Sequence, residues 1–450
     1  MLTLIIFFSP VATQVIGGPQ ATPLLSKWKW FSITLCTTLA TGILLWGAAE
    51  PLYHLFETPE GLGLSPNSRE AGTFAMSTML MHWTITPYSI YTISSLLFAL
   101  MFYNRHRTMD VSALLFPALG SRSTGKITTL ANVLCLFALT AGMAASLGSG
   151  ILTLSGGLRQ VWEFSATNWT NLAIGLTIVI TFTLSAISGL LKGIKILSDF
   201  NIKLFILLVL IVFIWGVPYE SLQIGLDGLK DYGAHFVQRN LLLDGDIDRD
   251  WSRSWTIFYW ANWIAWTPIT AIFLGRIARG YTVRQFIIFN LILPSIFSGL
   301  WMVVFSGATI HHSIGSETTL WYDEMLNQGP GSTVFQLIET IPLDSILSIL
   351  FVFITFLSFV TAADSNTTAM SSISTKNLHG SQSAPIGLKI VWGCIIGVSA
   401  IVMINFAGID GIKMLSTIGG FPALLLIIMI CWGAIRLLIN PTISQYRPSD

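Results

Sequence analysis

Charge is the scarcest thing in this sequence. Only 10% of its 450 residues are Asp, Glu, Lys or Arg, against about a quarter in an average soluble domain. That excludes a water-facing globular surface, and 53% apolar residues exclude a disordered chain. A net charge of +1 leaves no basic field for nucleic acid. Cysteine is scarce too: Cys36, Cys135, Cys394 and Cys431 lie singly in apolar runs. They read as small core hydrophobes, not as a disulfide frame or thiolate metal site. Strand-like alternation is missing, which disfavours a β-barrel. Carboxylates are nearly missing from the apolar stretches as well: Glu50 and Asp364 stand at stretch ends, and Asp199 opens one. An intramembrane acid is the usual mark of a proton relay, so proton coupling is disfavoured, with Asp364 keeping it open.

What is present is length. A helix needs about 20 mostly apolar residues to cross the hydrocarbon core, and ten stretches qualify: 28–49, 73–103, 127–153, 170–191, 199–218, 255–275, 286–310, 343–363, 386–407 and 414–435. A shorter piece, Met1–Ile16, is expected to be the end of a further helix or an irregular start. With the segment before Trp28 inside, only seven of the 23 basic residues (Arg69, Arg159, Lys230, Arg239, Arg249, Arg253 and Lys413) fall outside. Positive charge therefore predicts ten alternating spans and a cytoplasmic C-terminus. Ten spans split as five plus five, and an odd number per half inverts the second half. The expected organisation is an N-terminal remnant and linker at 1–27, one repeat at 28–218, an outer, partly helical connector at 219–254, a second repeat at 255–439 and a short inner tail at 440–450.

Aromatic residues occupy the place that acids leave. Most of the 16 Trp fall near span ends, as an interfacial belt does. Trp83, Trp260, Trp263 and Trp266 lie inside spans. Three-residue steps put the last three on an arc of about 120°, and Trp83 and Tyr91 stand about 12 Å apart along a helix that Pro87 is expected to kink. Two such faces can enclose a cation, worth about 2 kcal/mol or more per desolvated ring. A quaternary ammonium, which has no N–H to donate, suits rings better than a carboxylate. Spacing alone leaves helix packing as the commoner explanation. The small and polar run Thr37–Gly42 would let a helix unwind and offer backbone groups to a carboxylate or Na⁺, or simply let helices approach closely.

At these residues the sequence resembles the betaine/choline/carnitine transporter (BCCT) family. Trp46-Gly47-Ala48-Ala49-Glu50-Pro51-Leu52-Tyr53-His54 is similar to the family's "WG-x-x-EPLYH" block. His82-Trp83, Ile90-Tyr91 and Tyr103-Asn104-Arg105 follow its second core helix. Phe258–Pro268, running on to Arg276–Gly280, resembles its "FYWAWWISWSP…ARISRG" signature, and Val360–Ser365 its "VTSADS".

The resemblance implies an all-α integral membrane protein with the leucine-transporter-type fold, a 5+5 inverted-repeat bundle of about ten core helices. Members carry two peripheral N-terminal helices, of which Met1–Ile16 would be the remnant, and usually form trimers. The implied cargo is betaine, choline, carnitine or a related solute. Trp83, Tyr91 and Trp263 match the family's aromatic box, and Tyr88 stands where many members have another Trp. Trp266 matches the inward path, and Asn262 replaces the middle Trp of "WAWW". The glycine motif of Na⁺-coupled members falls on residues 38–42, where Leu39 and Gly42 are expected at the cavity and only Gly42 matches. The family's Na⁺ site would map onto the backbone carbonyls of Cys36 and Leu39 with the side chains of Ser358 and Thr361, Ala362 standing in place of a serine. Lys203 could supply a fixed charge instead, or snorkel to the inner surface.

The expected function is secondary transport of a quaternary ammonium solute across the bacterial inner membrane, without a cofactor, Na⁺ being a possible coupling ion. The alternatives are a carnitine-type exchanger without Na⁺ coupling, or a receptor that binds solute and moves none. An enzyme would need clustered His, Asp or Cys at membrane depth. A channel would need charge rings or a filter loop. With only Arg447 basic beyond Asn440, the tail is expected not to gate osmotically.

Overall fold

The computed structural model describes residues 1–39, 42–165, 167–187, 191–314, 320–375 and 384–447. Every regular element among them is helical. A seven-residue helix, α1 (Leu2–Phe8), is followed by a chain that pairs with the loop after the sixth span, through Ile16 N–H to Tyr281 C=O (2.9 Å) and Val283 N–H to Gln14 C=O (3.0 Å). Met1–Ile16 is thus an irregular start.

The first span is in two pieces, α2 (Lys27–Leu39) and α3 (Gly42–Phe56), inclined by 53°. The expected unwinding at Thr37–Gly42 falls partly on Ala40 and Thr41, outside the described residues. The second span is α4 (Arg69–Trp83) and α5 (Ile85–Ala99), with Ser68 capping its start. Its break lies at Thr84 (φ −120°, ψ −112°), three residues before Pro87. Proline has no N–H for the carbonyl four residues back and crowds it, so the kink appears upstream of the ring.

A short helix, α6 (Val111–Leu119), leads to the third to fifth spans, α7 (Lys126–Trp162), α8 (Asn168–Ile187) and α9 (Leu191–Gly216). The outer connector contributes α10 (Tyr219–Ala234), α11 (Phe236–Asn240) and α12 (Arg249–Ser252). The last continues through a π turn into α13 (Phe258–Arg276), the sixth span. Helices α14 (Val283–Ile287) and α15 (Leu293–Ser313) form the seventh. Two outer helices, α16 (Leu320–Gln328) and α17 (Thr333–Glu339), precede α18 (Asp344–Ile373).

The last helix, α19 (Ile386–Ile439), has 54 residues and would measure about 80 Å if straight, far more than one bilayer core. Gly408, with φ 52° and ψ −133°, breaks it into the ninth and tenth spans. Only glycine adopts that conformation without strain.

Spans pack into one core in which α13 lies against α5, α7 and α19, and α3 against α4 and α15. Apolar side chains left exposed, among them Leu184, Ile214 and Phe406, face outward, as lipid contact requires.

Candidate functional site

The interior places Trp83 and Trp263 deep inside the bundle, each 3% exposed. Their rings meet edge to face with centroids 5.6 Å apart, and Tyr91 meets Trp263 in the same way at 5.2 Å. These three rings border a cavity of about 50 Å³ whose wall also includes Thr37, Thr38, Gly42, Trp46, Ser149, Phe258, Asn262, Trp266 and Ile412. Four spans thereby supply the wall's aromatic and hydroxyl groups: the broken first span, the second span (Trp83 from α4 and Tyr91 from α5), α7 and α13. That volume holds a water or two, well short of the several hundred Å³ usual for a bound solute. An ammonium touching two ring faces sits within about 6 Å of each centroid, a reach that the 5.6 Å separation of Trp83 and Trp263 allows.

Local sequence explains the arrangement. Phe258, Asn262 and Trp266 stand four residues apart, one stripe of a helix, and Trp263 borders it. Trp260 falls outside that stripe: it is absent from the cavity wall and instead meets His82 edge-on at 5.8 Å. The three-residue arc expected for Trp260, Trp263 and Trp266 is therefore corrected, because the cavity follows the four-residue period. Tyr88 is fully buried behind Trp263, at 5.9 Å, rather than on the wall. A Cβ on Gly42 would stand 2.6 Å from Trp83 Cη2, so the indole fits only over glycine. Leu39 closes α2.

Trp266 also lines a second, smaller cavity of about 10 Å³ with Phe182, Phe359 and Ile396. It stands as a partition between the two spaces. Asn262 reaches the first cavity while its carbonyl oxygen accepts from Ser416 Oγ at 3.1 Å.

The residues expected to hold Na⁺ have protein partners. Ser358 Oγ accepts from Asn201 Nδ2 (2.9 Å), Thr361 Oγ1 donates to Leu357 C=O (2.7 Å), and Cys36 Sγ lies 3.4 Å from Ser198 C=O. Lys203 pairs with Asp199 (2.7 Å) at an exposed position, so it does not stand in for a buried ion.

Sequence reasoning placed Glu50 at a span end; the structure buries it completely. Its Oε1 accepts from His82 Nδ1 (2.7 Å) and His54 Nε2 (3.0 Å). Its Oε2 accepts from Trp83 Nε1–H (2.8 Å) and Tyr259 OH (2.5 Å). Trp263 is tied in as well, its Nε1–H donating to the His82 carbonyl at 3.1 Å. Ligand atoms of Glu50, His54 and His82 lie within 4.8 Å of one another, but both facing imidazole nitrogens already contact one carboxylate oxygen. The signal that could have found this network is spacing: Gly42, Trp46, Glu50 and His54 recur every four residues.

The sequence profile described as "BCCT, betaine/carnitine/choline family transporter" matches residues 1–442. The chain is 30% identical over 423 residues to the ectoine/hydroxyectoine transporter of Virgibacillus pantothenticus, covering 94% of this chain and 83% of that one. It is 27% identical over 451 residues to a glycine betaine/proline/choline/ectoine transporter of Vibrio parahaemolyticus, covering 98% and 78%. Among solved structures, a Na⁺-coupled sialic acid symporter in a substrate-bound outward-open state superposes with a TM-score of 0.52 at 13% identity, over 98% of this chain and 94% of that one. That likeness is one of fold alone, and the fold is the leucine-transporter-type bundle. The match to the profile over nearly the whole chain, on a multi-span helical bundle, shows that this protein belongs to the betaine/carnitine/choline family of membrane transporters.

Proposed function

We propose that the chain moves a quaternary ammonium compatible solute across the bacterial inner membrane by alternating access, with the ammonium held between Trp83, Tyr91 and Trp263. The observation that carries this reading is the convergence of those three rings, from two spans, on one cavity. Stacked rings attract a methylated cation by roughly 2 kcal/mol each when water is excluded. Trp266, between the two cavities, acts as the inner partition that moves aside when solute leaves. The Asn262 amide NH₂ meets the solute's carboxylate or hydroxyl. One helix bundle rocks against the other, the C-terminus is cytoplasmic, and the assembly is a homotrimer.

Two hydroxyls, of Ser358 and Thr361, with the backbone carbonyls of Cys36 and Leu39 would make four oxygens where a hard cation takes roughly six, and Ala362 contributes none. The thin donor set favours substrate/product exchange over Na⁺ symport. A relative named for ectoine gives a second reading of the cargo, a cyclic amidinium zwitterion. Asn262 in the cavity wall supports it, because an amidinium has N–H groups for an amide oxygen to accept.

The test is a binding and counterflow screen of betaine, choline, carnitine, dimethylsulfoniopropionate and ectoine in proteoliposomes, with and without Na⁺. Counterflow of a methylated solute without Na⁺ is the expected result. Uptake that vanishes without Na⁺ excludes the exchanger, and tight binding with no flux identifies a receptor.

A further inference from the structure

The carboxylate of Glu50 does not line the cavity, yet it holds Trp83, which does, together with Tyr259, packed against Trp83, and His82, whose carbonyl accepts from Trp263. Four donors from three elements converge on its two oxygens: Trp83 and Tyr259 on one, His54 and His82 on the other. An indole N–H donates and never accepts, and an ionised carboxylate offers about four acceptor positions, so the anion is the form that satisfies all four. The imidazoles fit as neutral donors. His82 turns its other nitrogen, Nε2, to Thr256 Oγ1 at 3.2 Å, and Nδ1 of His54 is buried with no hydrogen-bond partner among the described residues.

We propose that Glu50 is the positioning residue and the hidden counter-charge of the cation site, acting through Trp83. The inference rests on the cavity taking a cationic solute. One indole separates the anion from the cavity: Trp83 Nε1–H points back at Oε2, and the ring forms the wall. Accepting that N–H moves electron density into the indole and deepens the negative potential of its face. A fixed negative charge behind the ring adds to the attraction where little water screens it. Direct contact with a carboxylate would add no hydrogen bond for an ammonium without N–H groups, and it would also recruit small inorganic cations. Behind the ring, the same charge favours a bulky methylated cation and stays desolvated. Glu50 therefore sets selectivity for charge rather than shape.

The experiment compares two pairs of probes matched in shape and differing by one positive charge: choline with 3,3-dimethylbutan-1-ol, and glycine betaine with 3,3-dimethylbutanoate. Dissociation constants are measured by tryptophan fluorescence on the purified full-length transporter. The wild type is expected to prefer the ammonium member of each pair. In Glu50→Gln that preference falls roughly tenfold, while affinity for the all-carbon isostere changes little. Trp83→Phe keeps a ring but loses the N–H; it lowers the preference similarly, and the double variant adds little to either. Should Glu50→Gln fail to fold, Trp83→Phe alone decides. An unchanged preference in the folded variants, or equal weakening of both members of a pair, overturns the proposal. If the wild type binds neither ammonium probe, the functional reading fails instead.

Discussion

The ammonium of Lys413 lies 3.7 Å from the ring centroid of Trp255, with the rings of Tyr53 and Phe258 at 5.8 and 5.9 Å. Phe258 and Ile412, the residue before the lysine, both line the cavity. A lysine is thus seated over three aromatic rings beside the cavity, joining the start of the last span to the first and sixth. The contact is expected to close that side of the cavity. Replacing Lys413 with Gln removes a cation–π attraction of about 1–2 kcal/mol. A cysteine placed at Ser149, with exposed Cys394 changed to serine, should then react about five- to thirtyfold faster with a membrane-impermeant thiol reagent. An unchanged rate excludes Lys413 as a closure.

Trp263→Ala removes a ring that touches Trp83, Tyr88 and Tyr91. The expected loss is about 2 kcal/mol, roughly 30-fold in affinity for a methylated ammonium. Trp28 is exposed and bonds Asp199 at 2.6 Å, so Trp28→Ala should leave affinity nearly unchanged. Isothermal titration of both variants measures the contrast.

Gly42→Ala inserts a methyl where Trp83 Cη2 now lies, 2.6 Å from the new atom. Overpacking of this kind costs about 1–3 kcal/mol. The ring must shift, and the shift should appear as weaker solute binding and altered indole fluorescence in a protein that still folds. Wild-type affinity would mean that Trp83 has room to adjust.

Gly408→Ala tests the hinge between the ninth and tenth spans. At φ 52° and ψ −133° a side chain is strained by about 1–3 kcal/mol, although no neighbour lies within 4 Å of the added Cβ. A lowered melting temperature in detergent is the expected result, with solute affinity retained.

Membrane crossing is the property most legible in this sequence, because length and apolarity alone decide it. The ninth and tenth spans were separable by their Gly-bearing gap, although the backbone runs them nearly together. Trp83, Tyr91, Trp263 and Trp266, singled out from motif blocks of which only Phe258–Pro268 is long, do meet at one cavity. Trp260 was misread because a three-residue step and a four-residue step select different faces of one helix. Glu50 was misread for another reason. Next to Pro51 it looks like the end of a span, and its donors Trp83 and Tyr259 stand 33 and 209 residues away in sequence. A buried charge is recognised by the partners that surround it, and those are assembled only by folding.

One consequence concerns which joints can slide. The Glu50 carboxylate stitches α3, the C-terminal end of α4, and α13 through three charge-assisted hydrogen bonds, each worth about 1.5–3 kcal/mol. Shearing these helices past one another would forfeit more than the few kcal/mol that separate interconverting conformers. In the proposed transport cycle the first, second and sixth spans are therefore expected to travel as a single stiff body, with the slip plane at their contacts with α7 and α18.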